Sequence, residues 1–183
     1  MKICVSEHIW EFDLKAALGE ISEQRREQAL KFKHEQGQRL CVLAYLLLKK
    51  GLHDNYGIIE NPVFEYNEHG KPFIVGYPEI YFNLSHCKEA VVCVISDKPI
   101  GVDVESIREY KESLVRYTMN DEEIHEIESA EHPDVAFIRL WTMKEATLKL
   151  IGTGISKDMK SVLDGTKKYT TVERQRYIYT VCE

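Results

Sequence analysis

In the hexapeptide Ile100-Gly101-Val102-Asp103-Val104-Glu105, apolar and acidic side chains alternate with the two-residue period of a strand. Val102 and Val104 then point into a core, and Asp103 and Glu105 project together from the other face. Residues 80–84 and 90–95, rich in β-branched and aromatic side chains, predict two strands before it, with a turn at Asp97-Lys98-Pro99. Further upstream, residues 62–66 and 71–75 flank Asn67-Glu68-His69-Gly70, a hairpin signal. Leu40, Leu43, Ala44, Leu47 and Leu48 form a wide apolar stripe at helical spacing, predicting a helix stopped by Gly51. Ser22 is placed to cap a helix over 23–32, and residues 3–5 read as an opening strand.

The same order returns on the C-terminal side. Asn120 and Glu123 make a capping-box signal for a short helix. Pro133-Asp134 starts a longer helix to about residue 151, closed by Gly152-Thr153-Gly154. Residues 160–163, 169–173 and 177–181 alternate well enough for strands, the first two joined through Asp164-Gly165. Helix then strands, twice over, predicts an α+β fold of two halves packed together, residues 1–98 and 99–183, with no Pro/Gly/Ser linker between them.

Composition narrows the function classes. The 183 residues carry 24 Lys+Arg against 30 Asp+Glu, a net charge of −6 that is shared by both halves, and 44% are hydrophobic. That is enough to bury a core, and neither half has the basic stripe of a nucleic-acid binder. The longest apolar run, 40–48, falls short of the roughly 20 residues that a membrane span needs. The first eight residues lack the apolar stretch of a secretion signal, so a soluble, cytoplasmic protein is expected. Cys4, Cys41, Cys87, Cys93 and Cys182 include no C-x-x-C pair and read as reduced thiols, which disfavours a zinc site.

Three segments carry chemistry. Asp103 and Glu105 on one strand face repel each other unless water or a cation screens them, and a hard divalent cation such as Mg²⁺ suits such a pair. A solvated strand face serves the hexapeptide equally well. On the helix, Trp141, Glu145 and Lys149 share one face, either as a surface ion pair or as a partly buried carboxylate in need of a partner. In Phe82-Asn83-Leu84-Ser85-His86-Cys87, adjacent Ser85 and His86 point opposite ways and form no dyad, so His86 is either a phosphate donor or a structural histidine. Lys71, and the basic run Arg25, Arg26, Lys31, Lys33 and Arg39, suit solvated surfaces as well as they suit a ligand.

Taken in order, Gly70-Lys71-Pro72, Phe82-Asn83-Leu84-Ser85-His86, Gly101-Val102-Asp103-Val104-Glu105 and the Trp141 to Gly154 stretch resemble the 4′-phosphopantetheinyl transferases. The likeness is greatest to the surfactin-synthetase type and covers roughly residues 20–155. It implies two similar α+β halves forming an intramolecular pseudo-dimer, a monomer, with the site between the halves. It implies transfer of the 4′-phosphopantetheine arm of coenzyme A to a serine of an apo acyl or peptidyl carrier protein, with Mg²⁺, releasing 3′,5′-ADP. Position by position, Asp103, Glu105 and Glu145 match the metal carboxylates, and Lys149 matches the lysine at the pyrophosphate. Ser85, His86, Lys71 and Arg39 match positions around the phosphates of coenzyme A, and Glu145 is expected to be the base, with Lys149 its catalytic companion.

Some positions depart from the pattern. Cys87 stands where serine often follows the histidine, and either Glu122 or Glu123 would supply a further acidic residue. Fewer strands follow Gly154 than in many relatives. Arg108, Lys111 and Arg116, with Tyr110 and Leu114, would offer a patch for an acidic carrier, or simply a wet helix. The competing function is a coenzyme A-binding or regulatory paralogue without turnover.

Overall fold

The structure is a computed structural model that describes residues 1–154 and 158–183. The N-terminal half runs β1 (Lys2–Ser6), α1 (Leu14–Glu20), α2 (Glu23–Leu30), α3 (Glu35–Tyr56), β2 (Phe64–Tyr66), β3 (Pro72–Ile74), β4 (Tyr81–His86) and β5 (Val91–Ser96). Then come β6 (Gly101–Ser106), α4 (Glu112–Thr118), α5 (Asp121–Ser129), α6 (Pro133–Ile151), a 3-10 turn (Met159–Ser161), β7 (Tyr169–Glu173) and β8 (Tyr177–Cys182). The strands build two three-stranded antiparallel sheets, ordered β1-β5-β4 and β6-β8-β7, and the β2-β3 hairpin. This is the mixed α+β composition that the sequence predicts.

Each long helix covers one sheet. Tyr45, Leu48 and Leu52 of α3 share a core with Phe82, Cys93 and Ile95. Phe137, Ile138 and Leu140 of α6 share another with Ile178. Between the sheets, Val92 and Val94 of β5 meet Val102 and Val104 of β6, together with Tyr179 and Val181 of β8. The central strands are thus covered on both faces, which explains why β5 and β8 are buried along their whole length.

The two sheets join through their edges. Outermost strands carry unpaired backbone groups that must find partners when buried. Here the Val102 N–H donates to Asn83 Oδ1 at 2.8 Å and the Val104 N–H to Ser85 Oγ at 3.2 Å. Asn83 and Ser85, one strand period apart on β4, stand in for a neighbouring backbone. Behind β6, the helix α6 comes so close that a Cβ on Gly101 would stand 2.1 Å from the Ala146 carbonyl oxygen. Glycine at 101 allows that approach, which brings β6 alongside Glu145 and Lys149.

Two predicted boundaries need correction. The helix α3 passes through Gly51 and ends at Gly57, whose φ of 69° and N–H bond to the His53 carbonyl make the cap. Gly51 is instead a contact residue, because a Cβ there would stand 2.5 Å from Ile95 Cδ1. Residues 160–163 are not a strand: Met159–Ser161 is a 3-10 turn whose carbonyls at Met159 and Lys160 are taken by Lys144 and Asn120 side chains. The helix α1, capped by Asp13, was not predicted. Among the described residues no helix is long and apolar enough to cross a membrane.

Candidate active site

At the seam, β4 supplies Leu84, Ser85 and His86, β6 supplies Asp103, Val104 and Glu105, and α6 supplies Trp141, Glu145 and Lys149. Together they line a cleft of about 370 Å³. An adjoining cavity of about 300 Å³ shares Leu84, Glu145 and Lys149 and is walled by Gly70, Lys71, Pro72 and Gly152. The strand and helix periods therefore bring three separate sequence segments to one place.

Charge in the cleft is unbalanced. Asp103 is buried, and its Oδ1 accepts from Lys149 Nζ at 2.6 Å and from Ser85 Oγ at 2.9 Å. Its Oδ2 is buried with no partner, and so is Glu145 Oε1. Burial raises the Glu145 pKa; the Asp103 charge adds to this and the Lys149 ammonium opposes it. Burial and then Asp103 likewise raise Glu105, against Arg108, 3.4 Å away, and Lys149. Buried polar atoms without partners are uncommon, and two carboxylate oxygens in one cleft call for a positive group. Oxygen donors of this kind fit a hard divalent cation. As they stand, however, no three His, Cys, Asp or Glu side chains among the described residues are arranged to hold a metal. Lys149 is the cation seated on Asp103.

The other predicted residues divide. Ser85 Oγ donates to Asp103 and accepts from the Val104 N–H and from Lys149 Nζ at 2.8 Å, which fills its hydrogen-bonding capacity. These bonds tie Asp103 and Lys149 to β4. Solvent reaches the His86 ring, yet protein surrounds much of it; desolvation, then the Lys149 and Arg25 charges, lower its pKa and leave it neutral at pH 7. On its far side lies a pocket of about 380 Å³ with Lys33, His34 and Lys88 in its wall. Lys71 Nζ donates to the Leu150 carbonyl at 2.8 Å, and Asn67 Nδ2 to the Gly152 carbonyl at 3.2 Å, so the hairpin loop clasps the end of α6. Burial lowers the Lys71 pKa.

Arg39 is not brought to the cleft. Its guanidinium bonds Glu35 at 2.8 Å and the Phe12 carbonyl at 2.9 Å, between the Trp10 and Phe12 rings. Glu123 is also elsewhere. It closes the capping box with Asn120 and pairs at 2.8 Å with Lys144, which is fully buried and also bonds the Met159 carbonyl. Sequence reasoning passed over Lys144 and Asn83. The signal for Asn83 was present, since it shares a strand face with Ser85.

Residues 99–180 match a family model described as 4′-phosphopantetheinyl transferase superfamily. A 4′-phosphopantetheinyl transferase of Bacillus subtilis is 30% identical over 145 residues, 77% of this chain and 64% of the relative. The 4′-phosphopantetheinyl transferase psf-1 of Bacillus pumilus is 33% identical over 144 residues, 77% and 62% of the two chains. The 4′-phosphopantetheinyl transferase gsp of Aneurinibacillus migulanus is 32% identical over 159 residues, 85% and 66%. The chain thus spans just under two thirds of the length of these relatives.

Proposed function

Since the chain belongs to the 4′-phosphopantetheinyl transferase superfamily, we propose that it moves the 4′-phosphopantetheine arm of coenzyme A onto a serine hydroxyl of an apo acyl or peptidyl carrier protein, releasing 3′,5′-ADP. The observation that carries this reading is the cleft itself: Asp103, Glu105, Glu145 and Lys149 line one wall system, with two buried carboxylate oxygens lacking partners. Asp103, Glu105 and Glu145 would hold Mg²⁺, which supplies charge neutralisation at the pyrophosphate.

The chain's own groups do the rest. Lys149, with access to both cavities, neutralises a phosphate oxygen as charge builds on the leaving group. A neutral His86 donates one hydrogen bond, and Lys33, His34 and Lys88 beyond it favour a further phosphate in the neighbouring pocket. Lys71 lines the cavity that would take the adenosine side. Glu145, its carboxyl raised above the ordinary range, is suited to take the proton of the attacking serine.

The two halves, 1–98 and 99–183, would act as an intramolecular pseudo-dimer, one long helix and one three-stranded sheet each, with the site at their seam. A cytoplasmic monomer suits this arrangement. An acidic carrier would dock beside α4, where Lys111, Arg108 and Arg116 lie near exposed Leu114; Glu105 and Glu112 offset two of those charges. Chromatographic detection of 3′,5′-ADP tests the reading. Release that needs both coenzyme A and apo carrier supports transfer. Coenzyme A binding without release points to a silent binding module instead.

A further inference from the structure

We infer that Lys149 is the internal counter-ion of the carboxylate cleft and that a divalent cation must displace it, so that its ammonium is freed toward a phosphate-bearing substrate only after the cation binds. This rests on the reading of Asp103, Glu105 and Glu145 as cation ligands.

The contact is not an ordinary surface pair. Lys149 Nζ lies 2.6 Å from Asp103 Oδ1, and the side chains are only 30% and 6% exposed. A second bond, 2.8 Å to Ser85 Oγ, fixes the ammonium there. Lys149 bonds one of the three carboxylates and Arg108 lies 3.4 Å from Glu105, yet Asp103 Oδ2 and Glu145 Oε1 stay without partners. A hard cation requires those oxygens, and two positive centres on one carboxylate repel strongly in a partly buried site. The cation therefore binds only as Nζ withdraws. Lys149 has somewhere to go, because it lines both the carboxylate cleft and the adjoining cavity closed by Gly70, Lys71 and Pro72. Ser85 remains as donor to Asp103 after the exchange.

Calorimetric titration with Mn²⁺, without coenzyme A, tests this on the wild type and on Lys149→Met, Lys149→Arg and Asp103→Asn. Lys149→Met is expected to bind Mn²⁺ about tenfold tighter or more, Lys149→Arg to stay near the wild type, and Asp103→Asn to lose binding. Equal or weaker binding by Lys149→Met, or tightening by Lys149→Arg as large as by Met, overturns the counter-ion role and leaves the carboxylate reading intact. Unchanged binding by Asp103→Asn overturns both. Since Lys149→Met leaves a buried carboxylate uncompensated, the wild type provides a second readout. The rate at which acetic anhydride modifies Lys149, followed by peptide mass spectrometry, should rise with saturating Mg²⁺. An unchanged or slower rate contradicts displacement.

Discussion

Substituting Gly101→Ala tests whether the close approach of α6 to β6 sets the site. The new Cβ would stand 2.1 Å from the Ala146 carbonyl oxygen, 2.5 Å from the Leu150 nitrogen and 3.0 Å from its Cα. Comfortable heavy-atom contacts lie at about 3.5–4.0 Å, so strand and helix must part by about 1 Å or more. Overpacking of this kind costs about 1–3 kcal/mol. All three obstructing atoms are helix backbone, which cannot swing aside, so the upper end, about 3 kcal/mol, applies. For a chain of this size that lowers Tm by roughly 6–12 °C. The same displacement separates Asp103 and Glu105 from Glu145, the residue before Ala146, and an ångström of misplacement costs about 100-fold in rate. Thermal unfolding and the initial rate of carrier modification read the two effects. Gly19→Ala in α1 is the control: a Cβ there meets nothing within 4 Å, and it should gain up to about 1 kcal/mol. A Gly101→Ala protein melting within about 2 °C of the wild type, with transfer unchanged, would refute the reasoning.

Breaking the buried pair by Lys144→Met or by Glu123→Gln should each cost about 3–5 kcal/mol, and the double variant should recover much of it; additive losses in denaturant unfolding would show the two side chains are not coupled. Asn83→Ala removes the acceptor of the buried Val102 N–H and should cost about 1–3 kcal/mol by urea unfolding; an unchanged midpoint would contradict its part in joining the sheets. The depressed His86 pKa means the unfolded chain takes up a proton more readily than the folded one. Stability from this source is present above the ordinary histidine pKa and is lost as pH falls through the folded value. Melting of His86→Gln should therefore fall less than that of the wild type between about pH 7.5 and pH 5; parallel curves would contradict the assignment.

Local signals read well and contacts between distant elements did not. The alternation of 100–105, the shared face of Trp141, Glu145 and Lys149 on α6 and the Asn120–Glu123 box depend on neighbours in sequence, and each is present in the structure. Gly51 looks like a helix stop to its neighbours, but its role is set by Ile95, forty-four residues away on β5. Similarly, the bonds of Ser85 to Asp103, Val104 and Lys149 depend on where β4, β6 and α6 meet, which no neighbour in sequence reveals. Lys144 sits one residue before Glu145 and cannot be separated from it by periodicity; only the position of α5 reveals that it is fully buried against Glu123. The carboxylate cluster was legible as a composition of residues, while the lysine seated on it depends on side-chain packing across β6 and α6.

The most direct test is the intact mass of an apo carrier protein after incubation with this protein, coenzyme A and Mg²⁺, beside the Glu145→Gln variant. The expected result is a gain of one phosphopantetheine with the wild type and none with the variant. No gain on fatty-acid, polyketide and peptide carriers alike, with coenzyme A still bound, would contradict transfer.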